Sequence, residues 1–129
     1  MTQGKKQVLP KRAESPVRGE LYLVNFDPTI GSEIKKTRPA LIVQNDIANR
    51  HSSVTIVAAL SSQFALPLYP TEVLVESADG VLEKRSVVLL NQIRTIDKAR
   101  LVKRLGVISA ETMDKVNRAL EVSLGLMEI

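Results

Sequence analysis

"DPTIGSEIKKTRPALIVQND", residues 27–46, joins a turn, a charged loop and an apolar strand. Asp27 and Pro28 open the segment in the manner of a turn. Three positive charges then fall within four residues: Lys35, Lys36 and Arg38. Pro39–Val43 is a short apolar run, and a proline at the first strand position is tolerated because its missing N–H donor does least harm there. The segment therefore predicts a charged loop that enters a buried strand.

Strand-like segments recur on both sides of this stretch and predict a mainly β fold. In residues 21–26, alternation places Tyr22, Val24 and Phe26 on one face of a strand. Five further strands are predicted: Val54–Leu60, Glu72–Val75, Val87–Leu90, Ile93–Ile96 and a last one near Val102–Ile108. Seven short strands separated by turn residues are typical of a barrel or a strongly curved sheet.

The end of the chain follows a helical pattern instead. Ser109 is a favourable N-cap for a helix. Apolar residues then recur at helical spacing: Met113, Val116, Leu120 and Leu124. We therefore predict one C-terminal amphipathic helix of about 15 residues whose apolar stripe covers the sheet. A short helix is also predicted at Asn45–Asn49.

The excess positive charge lies at the start of the chain. The 129 residues carry a net charge of +4, and residues 1–18 alone hold five basic side chains against one acidic. The other 111 residues are balanced, with thirteen basic and thirteen acidic side chains. We therefore predict a basic, disordered extension over residues 1–16 and one folded domain over residues 17–129. A polyanion site in that domain must come from local clustering of charge.

Composition disfavours several kinds of chemistry and location. The chain has no cysteine and a single histidine, His51, which stands in a polar stretch that predicts a loop. Metal sites built from Cys and His are therefore excluded, and the scattered carboxylates do not form a hard-cation loop. We expect no metal and no other cofactor. No apolar run approaches the roughly 20 residues of a membrane span, and the lack of cysteine fits a reducing cytoplasm.

A few polar side chains remain as candidates for chemistry. Arg38 precedes a proline, which biases it toward an extended backbone at a strand entrance, where a guanidinium can hold a phosphate with two hydrogen bonds. Glu33 could orient that guanidinium or accept a proton. Ser61 ends an apolar strand, where its hydroxyl could donate to a phosphate oxygen. Three more stand between two predicted strands: Asn91, Gln92 and Arg94. Each candidate also has a plain structural interpretation, as a solvated loop, a strand end or a turn.

Four segments of the chain carry a resemblance to a known family. They are "RGELYLVNFDPTIGSEIKKTRPALIVQNDIANR", "VTIVAALSSQ", "VVLLNQIRTIDKARL" and "MDKVNRALEVSLGL". The sequence resembles the MazF/PemK family of toxin endoribonucleases, and looks closest to its branch in Gram-positive bacteria. The resemblance implies an SH3-like β-barrel with a C-terminal helix and one or two short helices, assembled as a cytoplasmic homodimer. It also implies cleavage of single-stranded RNA without a metal, by attack of the ribose 2′-hydroxyl on the adjacent phosphorus.

The resemblance assigns roles to individual residues. Arg38 falls on the catalytic arginine of the family, and Ser61 falls where the family usually has threonine. Glu33 is the glutamate of the G-S-E phrase and our predicted base. Further residues are predicted to bind RNA: Ser32, Lys35, Lys36, Asn45, Gln92 and Arg94. The implied protein partner is a MazE-like antitoxin whose acidic, disordered C-terminal segment covers the same surface.

Two other classes of function stay open at this stage. The same fold serves toxins that bind a protein target, such as gyrase poisons, because a fold does not fix a function. A relative that binds RNA without cutting it is the second alternative, since threonine is replaced by Ser61. An arginine and a hydroxyl at the two expected positions favour the nuclease, because a gyrase binder needs neither.

Overall fold

The computed structural model describes residues 15–27, 36–76 and 82–128, and this part of the chain forms six strands and two α-helices. The strands are β1 Glu20–Asn25, β2 Thr37–Ile42, β3 Val54–Ser61, β4 Glu72–Val75, β5 Ser86–Asp97 and β6 Leu101–Val107. The helices are α1 Asp46–His51 and α2 Ala110–Ser123, and a short 3-10 turn, Lys98–Arg100, joins β5 to β6. No helix within these residues is long and apolar enough to cross a membrane.

All six strands form one antiparallel sheet in the order β4-β5-β3-β2-β1-β6. An apolar cluster, here called the α2-side cluster, takes residues from every strand and from α2. Its strand members are Leu21, Leu41, Ala58, Leu60, Val73, Val75, Val88 and Leu90, with Leu105 of β6 packed against them, and its helix members are Val116 and Ala119. Because both edge strands contribute to one cluster, the sheet is strongly curled. The prediction of a mainly β fold with a C-terminal helix is confirmed.

The opposite side of the sheet carries a second apolar cluster, here called the Phe26 cluster. Its members are Val24, Phe26, Ala40, Ile42, Val57, Ala59 and Ile96, with Tyr22 and Leu101 packed against them. The prediction that Tyr22, Val24 and Phe26 share one face is therefore confirmed. Strands β1, β2 and β3 are apolar on both faces, which explains why their sequences read as nearly continuous apolar runs.

Strand β5 corrects the predicted number of strands. Residues Val87–Leu90 and Ile93–Ile96 were predicted as two strands, but they belong to one strand of 12 residues. Its register against β3 shifts, because Ala58 lies opposite Ile93 whereas Leu60 lies opposite Val88. Several residues of β5 thus face a single residue of β3, and the strand bends there. The polar side chains at this bend gave the false signal of a turn, so seven predicted strands become six.

The helices begin where the sequence predicted, with two corrections at their ends. The Ser109 hydroxyl accepts the N–H of Thr112 at 3.1 Å and caps α2, which packs on β4 and β5. Leu124 was predicted on the apolar stripe, but it lies just past the helix and is 56% exposed. His51 was predicted in a loop, but it is the last residue of α1.

Two smaller predictions near the chain's entry to the sheet concern prolines. Pro39 is the third residue of β2 and not the first. It is tolerated because the pairing of β2 with β3 begins only at Ala40. Pro16, the last residue of the predicted extension, is buried, and the domain boundary at residue 17 stays a prediction. The rest of the predicted extension, residues 1–14, lies outside the described residues.

Candidate active site

Arg38 lies at the entrance of β2, close to the beginning of the described part of that strand. It pairs with Val24 of β1 and is partly exposed. Lys36, two residues earlier, is exposed and has a φ of 67°, a left-handed conformation that is uncommon for a residue other than glycine. The strand entrance is therefore a bent, positively charged end of the sheet.

A pocket of about 330 Å³ opens beside Arg38. Its apolar lining is Leu23, Pro39, Leu60, Leu82 and Leu105, and its polar lining is Arg38, Ser62, Glu83, Lys84 and Ser86. The pocket lies at the end of the curled sheet, where the α2-side cluster reaches solvent. Arg38 stands at its rim.

Ser61 is the last residue of β3 and lies at the same end of the sheet as Arg38. Ala40 of β2 is opposite Ala59 of β3, so continuing this register by two residues brings Arg38 opposite Ser61, on the face of the Phe26 cluster. The Ser61 hydroxyl accepts the N–H of Gln63 at 3.1 Å and donates to the Gln63 carbonyl at 3.2 Å. It must give up that donation before it can donate to a phosphate.

Arg94 and Gln92 belong to β5 on this same side. Arg94 pairs with Val57, a member of the Phe26 cluster, and its guanidinium lies over the Phe26 ring, 5.5 Å from the ring centroid. This cation–π contact holds the guanidinium in one orientation. Gln92 lies two residues earlier, in the bend of β5, where the register shift against β3 interrupts the alternation of faces. The structure thus brings three predicted residues to one face of the sheet, Arg38, Ser61 and Arg94, and places Gln92 in the bend of β5.

Asn45 is not part of this group. Its side-chain oxygen accepts the N–H of Ala48 at 2.8 Å and caps α1. From Arg38 to Ile42 the extended strand spans about 13 Å at roughly 3.3 Å per residue, and Asn45 lies beyond that end. Because the side-chain oxygen of Asn45 already accepts this hydrogen bond, we expect its side-chain NH2 group to make the predicted contact with RNA.

Three predicted residues lie outside the described residues: Ser32, Glu33 and Lys35. Their roles in RNA binding and proton transfer stay predictions. The strand ends on either side of them are described and are joined by hydrogen bonds. The Phe26 N–H donates to the Lys36 carbonyl at 3.0 Å, and the Lys36 N–H donates to a carboxylate oxygen of Asp27 at 2.9 Å.

Arg100, in the 3-10 turn, is a residue that the sequence analysis did not single out. Its Nη1 donates to the carbonyl oxygen of Asn25 at 3.0 Å and also to the carbonyl oxygen of Asp27. The turn is itself capped, because a side-chain oxygen of Asp97 accepts the N–H of Ala99 at 2.8 Å. The signal in the sequence is the run "TIDKAR", in which an aspartate N-cap precedes a basic turn.

The chemistry of this end of the sheet suits an anion. Arg38 and Lys84 line the pocket at this end and Lys36 precedes β2 there, with Glu83 as an opposing charge at the pocket. Among residues 15–27, 36–76 and 82–128, no group of three or more His, Cys, Asp or Glu side chains could hold a metal ion. A guanidinium at a strand entrance, a hydroxyl and a second oriented guanidinium can together bind phosphate oxygens.

Known proteins resemble this chain in sequence and in fold. The chain is 44% identical over 111 residues to the endoribonuclease EndoA of Bacillus subtilis (strain 168), covering 86% of this chain and 96% of that protein. Its structure is similar to MazF from Deinococcus radiodurans, with a TM-score of 0.75 and 28% identity over 87% of this chain and 98% of that one. It is also similar to a mycobacterial endoribonuclease solved in complex with its cognate antitoxin, with a TM-score of 0.74 and 29% identity. That match covers 89% of this chain and 100% of the other.

The family comparison covers nearly the whole described part of the molecule. The family described as PemK-like, MazF-like toxins of type II toxin–antitoxin systems matches residues 17–124. This range includes all six strands and both helices of the fold. The chain therefore belongs to the PemK-like, MazF-like family of type II toxin–antitoxin toxins.

Proposed function

We propose that this toxin is an endoribonuclease that cleaves single-stranded messenger RNA in the cytoplasm and so inhibits translation and growth. Two of its relatives, at 44% identity, are named endoribonucleases. The single observation that supports the proposal for this chain is that Arg38, Ser61 and Arg94 share one face of the sheet, beside the bend of β5 that contains Gln92. A protein-binding toxin has no need of that grouping.

The reaction is a transesterification within the RNA. The ribose 2′-oxygen forms a bond to the adjacent phosphorus, and the bond from phosphorus to the 5′-oxygen breaks. The 2′-hydroxyl loses a proton and the leaving 5′-oxygen gains one. The products are a 2′,3′-cyclic phosphate, or the 3′-phosphate from its opening, and a 5′-hydroxyl. Because the nucleophile belongs to the substrate, the chemistry does not require a metal-bound hydroxide.

Arg38 is the residue that stabilises the phosphorane. Negative charge grows on the phosphate oxygens in the transition state, and a guanidinium held by a strand is already oriented to meet it. A guanidinium offers positive charge and several N–H donors, and these are what Arg38 contributes. Ser61 adds a hydroxyl donor once it turns from the Gln63 carbonyl. The proton acceptor is predicted to be Glu33.

RNA binding follows from the same grouping. The Arg94 guanidinium, held over Phe26, contacts a phosphate next to the reacting one, and the Gln92 amide meets a base edge. Lys36 adds positive charge at the strand entrance. Ser32, Lys35 and Asn45 complete the predicted RNA-binding set. Affinity then comes from the backbone of the RNA and sequence preference from a few polar contacts.

We also propose that the protein forms a homodimer and is neutralised by a MazE-like antitoxin with an acidic, disordered C-terminal segment. The dimer is supported by the edge strand β6, where Val102 and Val107 are 58% and 53% exposed. The antitoxin is supported by the mycobacterial relative, which was solved with its cognate antitoxin. Positive side chains around Arg38 would attract an acidic segment to the surface that RNA uses.

The test of the proposal replaces Arg38 with alanine. Arg38→Ala should lower the rate of RNA cutting at least about 100-fold, because a lost transition-state donor costs about that much. Arg118→Ala, which removes an exposed arginine from α2, is the matched control and should cut at the wild-type rate. Circular dichroism would confirm that both variants fold.

The alternatives predict different results in the same assay. A wild-type protein that binds RNA but leaves it intact would support the non-cleaving relative. A wild-type protein that neither binds nor cuts RNA would support a protein-binding toxin. Equal cutting by Arg38→Ala and the wild type would contradict the role of Arg38.

A further inference from the structure

Within the described residues, β6 does not pair with the end of β1, so the carbonyl groups there have no strand partner on that side. The pairing of β1 with β6 ends with Val24 opposite Leu101. Because Phe26 is hydrogen-bonded to Lys36 on the β2 side, the preceding carbonyl, that of Asn25, points toward the β6 side. Arg100 supplies hydrogen-bond donors there, because its Nη1 donates to the carbonyl oxygens of Asn25 and Asp27.

The same three residues, Asn25 to Asp27, are held from two other directions. On the β2 side, the Phe26 N–H donates to the Lys36 carbonyl at 3.0 Å, and a carboxylate oxygen of Asp27 accepts the Lys36 N–H at 2.9 Å. On the face of the sheet, the Arg94 guanidinium covers the Phe26 ring. We call this arrangement, residues 25–27 with Lys36 and Arg100, the strand-end clamp.

Arg38 follows directly from the clamp along β2. It lies two residues after Lys36 and pairs with Val24, which immediately precedes the clamped part of β1. The pairing of β2 with β3 begins only at Ala40, so the strand ladder that holds the Arg38 backbone is the one with β1. The position of the Arg38 backbone therefore depends on how firmly the end of β1 is held.

We propose that Arg100 is a positioning residue for the cleavage reaction, which acts through the strand-end clamp to hold Arg38 where the phosphorane forms. The inference rests on the proposed ribonuclease function. Arginine suits the task because its planar guanidinium binds neighbouring acceptors in a fixed geometry, whereas a lysine ammonium does so on a flexible stem. The bonds of Arg100 go to protein carbonyls, so it acts on the geometry of the site and not on RNA.

Loss of the clamp should affect turnover more than binding. Without Arg100, the carbonyls of Asn25 and Asp27 turn to water and the end of β1 frays. Stabilisation of a transition state depends on sub-ångström placement, and a displacement of about 1 Å can cost about 100-fold in rate. We expect Arg100→Ala to lower kcat by about 10- to 100-fold. RNA affinity should stay within about twofold of the wild type, since no RNA contact is removed.

The experiment compares four full-length proteins: the wild type, Arg100→Ala, Arg100→Lys and the control Arg118→Ala. Single-turnover cutting gives the rate of the chemical step. Binding to an RNA with a 2′-O-methyl group at the cleaved position, which cannot react, gives Kd. Hydrogen exchange of the Phe26 amide measures the clamp itself. The expected result for Arg100→Ala is a slow chemical step, an unchanged Kd and faster Phe26 exchange. In Arg100→Lys, the chemical step and the Phe26 exchange should both be partly restored.

Each other outcome overturns a definite claim. Wild-type rates for Arg100→Ala would overturn the positioning role while leaving the ribonuclease function intact. A weaker Kd with an unchanged chemical step would show that Arg100 contacts RNA, which also overturns it. A wild-type protein that does not cut RNA would overturn the ribonuclease function, and with it the catalytic purpose of the clamp. If Arg100→Ala destabilised the whole fold, amide exchange would be faster throughout the sheet. That result would overturn the claim that Arg100 acts on the position of Arg38.

Discussion

At the scale of single residues, several of the side chains predicted to bind RNA already have partners in the fold. Ser61 is bonded to Gln63 in both directions, and Asn45 caps a helix. Arg94 rests on Phe26. Each of these residue types was recognisable in the sequence, but its partner was not, because the partner is set by strand register. Register therefore decides which polar residues can meet RNA together.

Ser61 gives a prediction at this scale. Ser61→Ala should lower the rate of cutting by about 10- to 100-fold, because a donor to the phosphorane is lost. Ser61→Thr restores the residue that is usual in the family and should cut at least as fast as the wild type. Ser53→Ala, an exposed serine at the opposite end of β3, is the control. Initial rates on one RNA would measure all four proteins.

An unimpaired Ser61→Ala would contradict the proposed role of the hydroxyl. Slow cutting by Ser61→Thr would mean that the added methyl group obstructs the site. In that case the serine would be an adaptation of this chain and not a neutral departure from the family.

At the scale of elements, α1 is fixed to the sheet by a buried polar network. Asn49 is fully buried, and its amide oxygen accepts from the Gln44 amide at 2.9 Å and from the Thr55 hydroxyl at 2.7 Å. Its amide nitrogen donates to the Gln44 carbonyl at 2.9 Å and to a carboxylate oxygen of Asp46 at 3.2 Å. The sequence predicted a short helix here but gave no reason for its attachment, because the network links α1, β3 and the segment between β2 and α1.

Replacing Asn49 should therefore destabilise the whole protein. Asn49→Ala leaves the Thr55 hydroxyl and the Gln44 amide without their partner in the core, and we expect the free energy of unfolding to fall by about 2–4 kcal/mol. Asn117→Ala is the control, since its contact with Arg18 is exposed. Chemical denaturation would give both values. Equal stability of the two variants would contradict the account of the network.

Element types were predictable from local pattern, whereas their irregularities were not. Apolar runs and alternation located every strand. Burial on one face produces alternating apolar residues, and burial on both faces produces a continuous apolar run. The bend of β5 was missed because Asn91 and Gln92 are polar within a strand, which locally resembles a turn. The contact of Arg100 with Asn25 was also beyond prediction, since 75 positions separate the two residues. Local pattern carries no information about such contacts.

At the scale of the whole molecule, charge is distributed unevenly between the tail and the fold. Residues 19–129 are neutral overall, so the attraction of RNA must come from the cluster around Arg38 and Arg94 and from the tail. Residues 1–14, here called the tail, contain none of the predicted site residues. They carry four basic side chains: Lys5, Lys6, Lys11 and Arg12. The cleavage reaction and the non-specific electrostatic binding of RNA can therefore be separated by experiment.

Deleting residues 1–14 makes that separation. The deletion should leave kcat and the cleaved motif unchanged, because no proposed catalytic residue is removed. RNA affinity at low salt should fall, and the salt dependence of Kd should become shallower, since fewer counterions are released. Filter binding across a salt series, with cutting measured in parallel, would check both. A changed motif or a lost activity would place part of the active site in the tail.

The central claim is that this toxin cuts RNA through attack by the substrate's own 2′-hydroxyl. The most direct test incubates purified, antitoxin-free protein with a long unstructured RNA in the presence of EDTA and maps the new ends. The account predicts discrete cuts at one short motif, with 5′-hydroxyl ends and 2′,3′-cyclic phosphate or 3′-phosphate ends. Intact RNA from folded protein, or cuts that leave 5′-phosphate ends or need a metal ion, would contradict it.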